Sequence, residues 1–125
     1  MLAQSSSVRK LSLGILAVCV ILLLPRLALA HAHLVSSTPA AGATVHAGNV
    51  AIELHFNSRV DAQHSTVGIE IAGGSGQAAI VHDTPSSETT LNAHATLPPG
   101  AYTIRWQALS TDGHITRGEI PFTVK

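Results

Sequence analysis

Between residues 50 and 56 apolar and polar side chains alternate strictly, with Val50, Ile52, Leu54 and Phe56 on one face and Ala51, Glu53 and His55 on the other. A period of two is the signature of a strand with one face buried and one wet, and no helical stripe elsewhere in the chain competes with it. A second run sets Tyr102, Ile104, Trp106 and Ala108 against Thr103, Arg105 and Gln107, and a third aligns Ile120, Phe122 and Val124. All four aromatic residues of the chain fall on the inward positions of these runs, so these three strands are predicted to carry the core. Weaker strand patterns occupy 33–37, 67–71, 78–81 and 89–93. Turn signals stand at Thr38-Pro39 with Gly42, at Gly73-Gly74-Ser75-Gly76, at Asp83-Thr84-Pro85 and at Pro98-Pro99-Gly100. About seven strands at this spacing predict an all-β Greek-key sandwich or barrel.

The first thirty residues read differently. Arg9 and Lys10 precede an apolar stretch over 11–24, Pro25 interrupts it, and Ala28-Leu29-Ala30 is the small-x-small pattern that signal peptidase cuts. The stretch is short of the roughly 18–20 residues of a spanning helix. The expectation is a cleaved signal peptide over 1–30 and an exported, periplasmic domain over 31–125. Cleavage removes Cys19 and Met1, the only sulfur-bearing residues, so the mature domain can form no disulfide and offers no thiolate or thioether ligand. Its stability must come from an apolar core, which a single domain of this length can supply. Seven acidic residues against four basic ones give it a net charge of −3, which leaves nucleic-acid binding without electrostatic support.

Cleavage after Ala30 would make His31 the first residue. Its α-amine and imidazole Nδ1 can then close a six-membered chelate ring on a metal ion. A second concentration of ligand chemistry is Asp112-Gly113-His114, where Asp and His two apart on an extended segment point to the same side and the glycine lets the backbone turn tightly. Together these residues offer three nitrogens and one oxygen, a set suited to a tetragonal Cu(II) site. Each half also has a purely structural reading: Asp-Gly is a hairpin turn signal, and a histidine after a cleavage site can be accidental.

The segment His31-Ala32-His33-Leu34-Val35-Ser36-Ser37-Thr38-Pro39-Ala40, with Trp106 and Ser110-Thr111-Asp112-Gly113-His114 further on, resembles the CopC family of periplasmic copper-resistance proteins. The resemblance spans essentially the whole mature chain, including its closing 118–124 strand. It implies an immunoglobulin-like or cupredoxin-like β-sandwich that binds one Cu(II) ion through the N-terminal amine, His31, Asp112 and His114. It also implies a role in copper resistance or homeostasis, sequestering copper or acting as a copper chaperone to an inner-membrane transport partner of the CopD type; a monomer is expected. The chain departs from those members that carry a methionine-rich Cu(I) segment, because its mature domain has no methionine.

Three further readings bear on the site. A free amine with His33 in third place can wrap Cu(II) using the amine, two backbone amide nitrogens and the His33 imidazole, bypassing Asp112 and His114. His46, His55, His64, His82 and His94 are scattered, with none read as paired to a carboxylate, and His82 and Asp83 are expected to face opposite ways on a strand. No nucleophile elbow or cofactor fingerprint points to an enzyme. A histidine-brace copper oxygenase is the enzymatic alternative, but a carboxylate in the ligand plane and so small a domain argue against it. A secreted immunoglobulin-like structural or interaction module without metal is the other alternative.

Overall fold

The computed structural model describes residues 31–74 and 76–125, so the leader, its cleavage site and any anchor lie outside the described residues. Nine strands follow one another: β1 (Leu34–Thr38), β2 (Thr44–Val45), β3 (Gly48–Phe56), β4 (Thr66–Ile71), β5 (Gln77–Ala78), β6 (Val81–Asp83), β7 (Thr90–Leu97), β8 (Gly100–Leu109) and β9 (Ile115–Val124). They form a four-stranded sheet in the order β1-β3-β7-β6 and a five-stranded sheet in the order β2-β9-β8-β4-β5, a Greek-key β-sandwich.

The three strongest alternating runs become β3, β8 and the second half of β9, and the reason is burial. Val50, Ile52, Leu54 and Phe56 join Leu91, Ala93, Ala95 and Leu97 of β7 on one inner face. Val67, Ile69, Tyr102, Ile104, Trp106, Ala108, Ile120, Phe122 and Val124 form the other. Period two puts every second residue in the dry layer between the sheets. Phe56 and Trp106 meet edge to face across that layer, with ring centroids 5.3 Å apart. The Tyr102 ring stacks on Phe122, and its hydroxyl donates to the Pro98 carbonyl at 2.7 Å.

The strand count corrects the expectation of about seven. The 78–81 pattern is two elements: β5 pairs with β4 in one sheet, and β6 pairs with β7 in the other. The chain changes sheets between them, and two or three residues are too few to show a period. For the same reason β2, a two-residue parallel partner of β9, left no trace in the pattern. Strand β7 starts at Thr90 and runs four residues beyond the 89–93 segment.

Ahead of β1 the chain is held against both sheets. Ala32 is fully buried; its N–H donates to Ser110 Oγ at 2.8 Å, and its carbonyl accepts from Thr116 Oγ1 at 2.7 Å. One residue later His33 donates its N–H to Asn57 Oδ1 at 2.8 Å, and its carbonyl accepts from the Asn57 N–H at 3.0 Å. The segment ahead of β1 is thereby laid beside the turn that joins β8 to β9.

Candidate metal centre

Asp112, Gly113 and His114 do not lie on the extended segment that their spacing predicts. They form the tight turn of the β8–β9 hairpin, closed by Ser110 N–H to the His114 carbonyl at 2.8 Å and by Gly113 N–H to the Ser110 carbonyl at 3.0 Å. Gly113 sits at φ +88°, where an L side chain is strained. The turn reading and the ligand reading therefore describe one object, because the turn itself folds His114 back onto Asp112. The His114 backbone N–H donates to Asp112 Oδ1 at 3.0 Å, and its imidazole Nδ1 lies 3.0 Å from Oδ2.

The clamped segment delivers His31 to the same place. Its Nδ1 is 3.3 Å from Asp112 Oδ2, and its ring meets that of His114 edge to face at 4.2 Å. One ligand atom from each of His31, Asp112 and His114 lies within 4.8 Å of the others. Bonds of about 2.0–2.2 Å from nitrogen or oxygen to a first-row divalent ion put neighbouring ligand atoms about 3 Å apart and opposite ones about 4 Å apart. The three side chains are thus near ligating distance before any adjustment.

Two features of the electrostatics fit a cation. His31 Nδ1 is buried without a hydrogen-bond partner: its approach to Asp112 is short enough for an ion-pair contact but has the wrong angle for a hydrogen bond. A buried imidazole nitrogen without a partner is costly unless something supplies one. The Asp112 carboxyl is held below its ordinary value, chiefly by the His114 backbone N–H, with the His114 imidazole and then His31 adding to the effect against partial desolvation. Near neutral pH the centre therefore holds an anionic oxygen between two imidazoles, a donor set for Cu(II) or Zn(II).

His33 is exposed on the flank, its ring 6.4 Å from that of His31. Both amides that a wrapped geometry would need as ligands, those of Ala32 and His33, are already donating hydrogen bonds.

Three of the other histidines depart from expectation by pairing with carboxylates. His55 Nε2 lies 2.6 Å from Glu53 Oε1 on the same strand, and His64 Nδ1 lies 2.8 Å from Asp61 Oδ2. His94 Nδ1 lies 2.8 Å from Asp83 Oδ2 across the β6–β7 ladder. The first pair was legible, since residues two apart on a strand share a face. The other two depend on a loop and on strand pairing that spacing does not reveal. His64 holds the Asp61 carboxyl below its ordinary value through that side-chain hydrogen bond. Within β6, His82 stands opposite Ala93 and Asp83 opposite Asn92, so these neighbours alternate across the sheet. Sequence reasoning also missed Asn57, Ser110 and Thr116, whose polar atoms hold the backbone around His31.

Residues 34–125 match the family model described as the CopC domain. This chain belongs to the CopC family. Asp112 and His114 lie inside the matched stretch, and His31 lies just ahead of it. Among CopC relatives, copper resistance protein C of Pseudomonas syringae pv. tomato is 33% identical over 112 residues, covering 83% of this chain and 88% of that one. Protein YobA of Escherichia coli strain K12 is 36% identical over 101 residues, covering 77% and 80%. Copper transport protein CutJ of Bacillus subtilis strain 168 is 28% identical over 109 residues, covering 81% of this chain but 19% of that longer protein. The crystal structure of CopC from Methylosinus trichosporium OB3b superposes with a TM-score of 0.69 at 29% identity, covering 76% of this chain and 94% of that one. The nine-stranded sandwich described above is thus the CopC fold.

Proposed function

We propose that the mature protein begins at His31 and binds one Cu(II) ion in the periplasm through the His31 α-amine and Nδ1, Asp112 and His114, sequestering copper or handing it to a membrane transport protein. The observation that carries this reading is the buried, unpartnered Nδ1 of His31 beside Asp112 and His114. Nδ1 is the ring nitrogen that the terminal amine needs to close a six-membered chelate. The names of the relatives support copper as cargo, and CutJ supports a transport partner, since there a stretch like this chain makes up about a fifth of a copper transport protein. The role is that of a monomeric carrier and not an enzyme. With a metal bound, Asp112 would fill a coordination position that a reacting molecule would need, and the clefts lined by Arg105, Trp106 and Arg117 and by Gln63, His82 and Leu91 do not include the site residues.

The test is the electron paramagnetic resonance spectrum and Cu(II) affinity of protein starting at His31, beside Asp112→Ala and His114→Ala. A one-to-one tetragonal spectrum that changes in both variants supports the reading. Indifference to both refutes this ligand set, and no detectable site would return the domain to a structural or interaction module.

Affinity should also fall with acid. An α-amine and imidazoles must shed protons to ligate, and their ordinary values, about 7.7–8.0 and about 6.5, lie inside the window from pH 5 to 8. Asp112, held below the ordinary carboxylate value, stays ionised throughout that window, so the loss comes from the nitrogens. For one amine and two imidazoles the expected fall from pH 8 to pH 5 is on the order of 10⁵–10⁶-fold. A pH-independent titration would count against these ligands.

A further inference from the structure

A chain beginning His31-Ala32-His33 has two ways to hold Cu(II): across the fold with Asp112 and His114, or wrapped within its own first three residues. The two modes compete for the same amine, and they differ in what the backbone must do. Wrapping makes metal ligands of the Ala32 and His33 amide nitrogens and brings the His33 ring around to the same ion. Binding across the fold leaves both amides untouched.

We propose that Asn57, together with Ser110 and Thr116, selects the binding mode by clamping the backbone of residues 32 and 33; this rests on the Cu(II) site proposed above. Ser110 Oγ takes the Ala32 N–H at 2.8 Å in the buried interior, and Thr116 Oγ1 donates to the Ala32 carbonyl at 2.7 Å. Asn57 Oδ1 takes the His33 N–H at 2.8 Å, while the Asn57 N–H donates to the His33 carbonyl at 3.0 Å. The Ala32 side chain is fully buried, so swinging this segment round an ion would expose it as well as break these bonds. Both amides the wrapped form requires are committed to the fold, while His31 Nδ1 is left without a partner. Asn57, Ser110 and Thr116 are positioning residues: their side chains reach the backbone of residues 32 and 33 and not the ion.

Asn57 is the place to test this, because it is exposed just beyond β3, whereas Ser110 is buried. Protein starting at His31 retains both sheets and the whole core. It is loaded with one equivalent of Cu(II) as the native form, Asn57→Ala, Asn57→Asp, and Asn57→Ala combined with His33→Ala, with folding checked by circular dichroism. Replacing the in-plane oxygen by a fourth nitrogen strengthens the ligand field, so wrapping moves the visible absorption to shorter wavelength and adds nitrogen hyperfine structure to the resonance spectrum. Loss of one hydrogen bond of ordinary strength should shift the ratio of wrapped to across-fold forms about fivefold toward wrapping in Asn57→Ala. Asn57→Asp, which keeps the acceptor, should resemble the native protein. The double variant, lacking the His33 ring, should lose the wrapped signature. A folded Asn57→Ala protein with the native spectrum would overturn the proposal. If the native spectrum responds to Asp112→Ala and Asn57→Ala changes nothing, the clamp has failed and the site stands. If the native spectrum ignores Asp112→Ala, the site itself has failed.

Discussion

Protein that retains even one residue ahead of His31 is expected to lose its tight Cu(II) site. An added residue converts the α-amine to an amide, which no longer offers a basic lone pair, and the chelate ring on Nδ1 opens. The imidazoles of His31 and His114 and the Asp112 carboxylate stay in place, because Ala32 and the β8–β9 turn are held by contacts the extension does not touch. Loss of a group that only orients a metal ligand costs roughly 10–100-fold in affinity, so loss of a chelating ligand should cost more than that. Competition titrations with a chromophoric Cu(II) chelator, on protein starting at His31 and on the same protein with one leading glycine, measure the difference directly. Equal affinities would remove the amine from the ligand set. A loss in the extended protein would mean that copper binding in the cell depends on accurate cleavage after Ala30.

The second large effect concerns the fold. Gly118→Val should be among the most damaging single substitutions in the domain. Gly118 stands opposite Trp106 on the β8–β9 ladder, and a Cβ built on it would come within 2.5 Å of the indole ring. Paired residues in an antiparallel ladder share a face, so the indole fills the space where a side chain at 118 would go. It cannot swing aside, because Trp106 is 8% exposed and packed against Phe56 in the inter-sheet layer. Overpacking of this kind costs about 1–3 kcal/mol or more. In a domain of about 100 residues, each kcal/mol lowers Tm by roughly 4–8 °C. Thermal unfolding followed by Trp106 fluorescence would show it, and a melting temperature within 2 °C or so of the native value would mean that the ring repacks freely.

How much of the molecule was legible depends on how far the determining contact reaches. β3 and β8 were plain because alternation is a local consequence of which face is dry, and each run was long enough to show it. β2 and β5 were invisible because a two-residue ladder has no period. The two-residue spacing of Asp112 and His114 marks them as partners, but the hairpin turn, not an extended strand, makes them converge. The pairs His64–Asp61 and His94–Asp83 were missed because a loop path and the β6–β7 pairing bring them together.

The sequence alone determined an all-β domain without sulfur, its main core strands, its likeness to CopC, and His31, Asp112 and His114 as candidate ligands. Those properties follow from local period and residue chemistry, which need no knowledge of distant neighbours. Only the tertiary structure decided that position 31 meets positions 112 and 114, that the Ala32 and His33 amides are tied down by Ser110 and Asn57, and that Gly118 makes room for Trp106. Each of these joins residues from about 10 to more than 80 positions apart, and the packing of the two sheets and the return of the chain, not any local pattern, place them in contact.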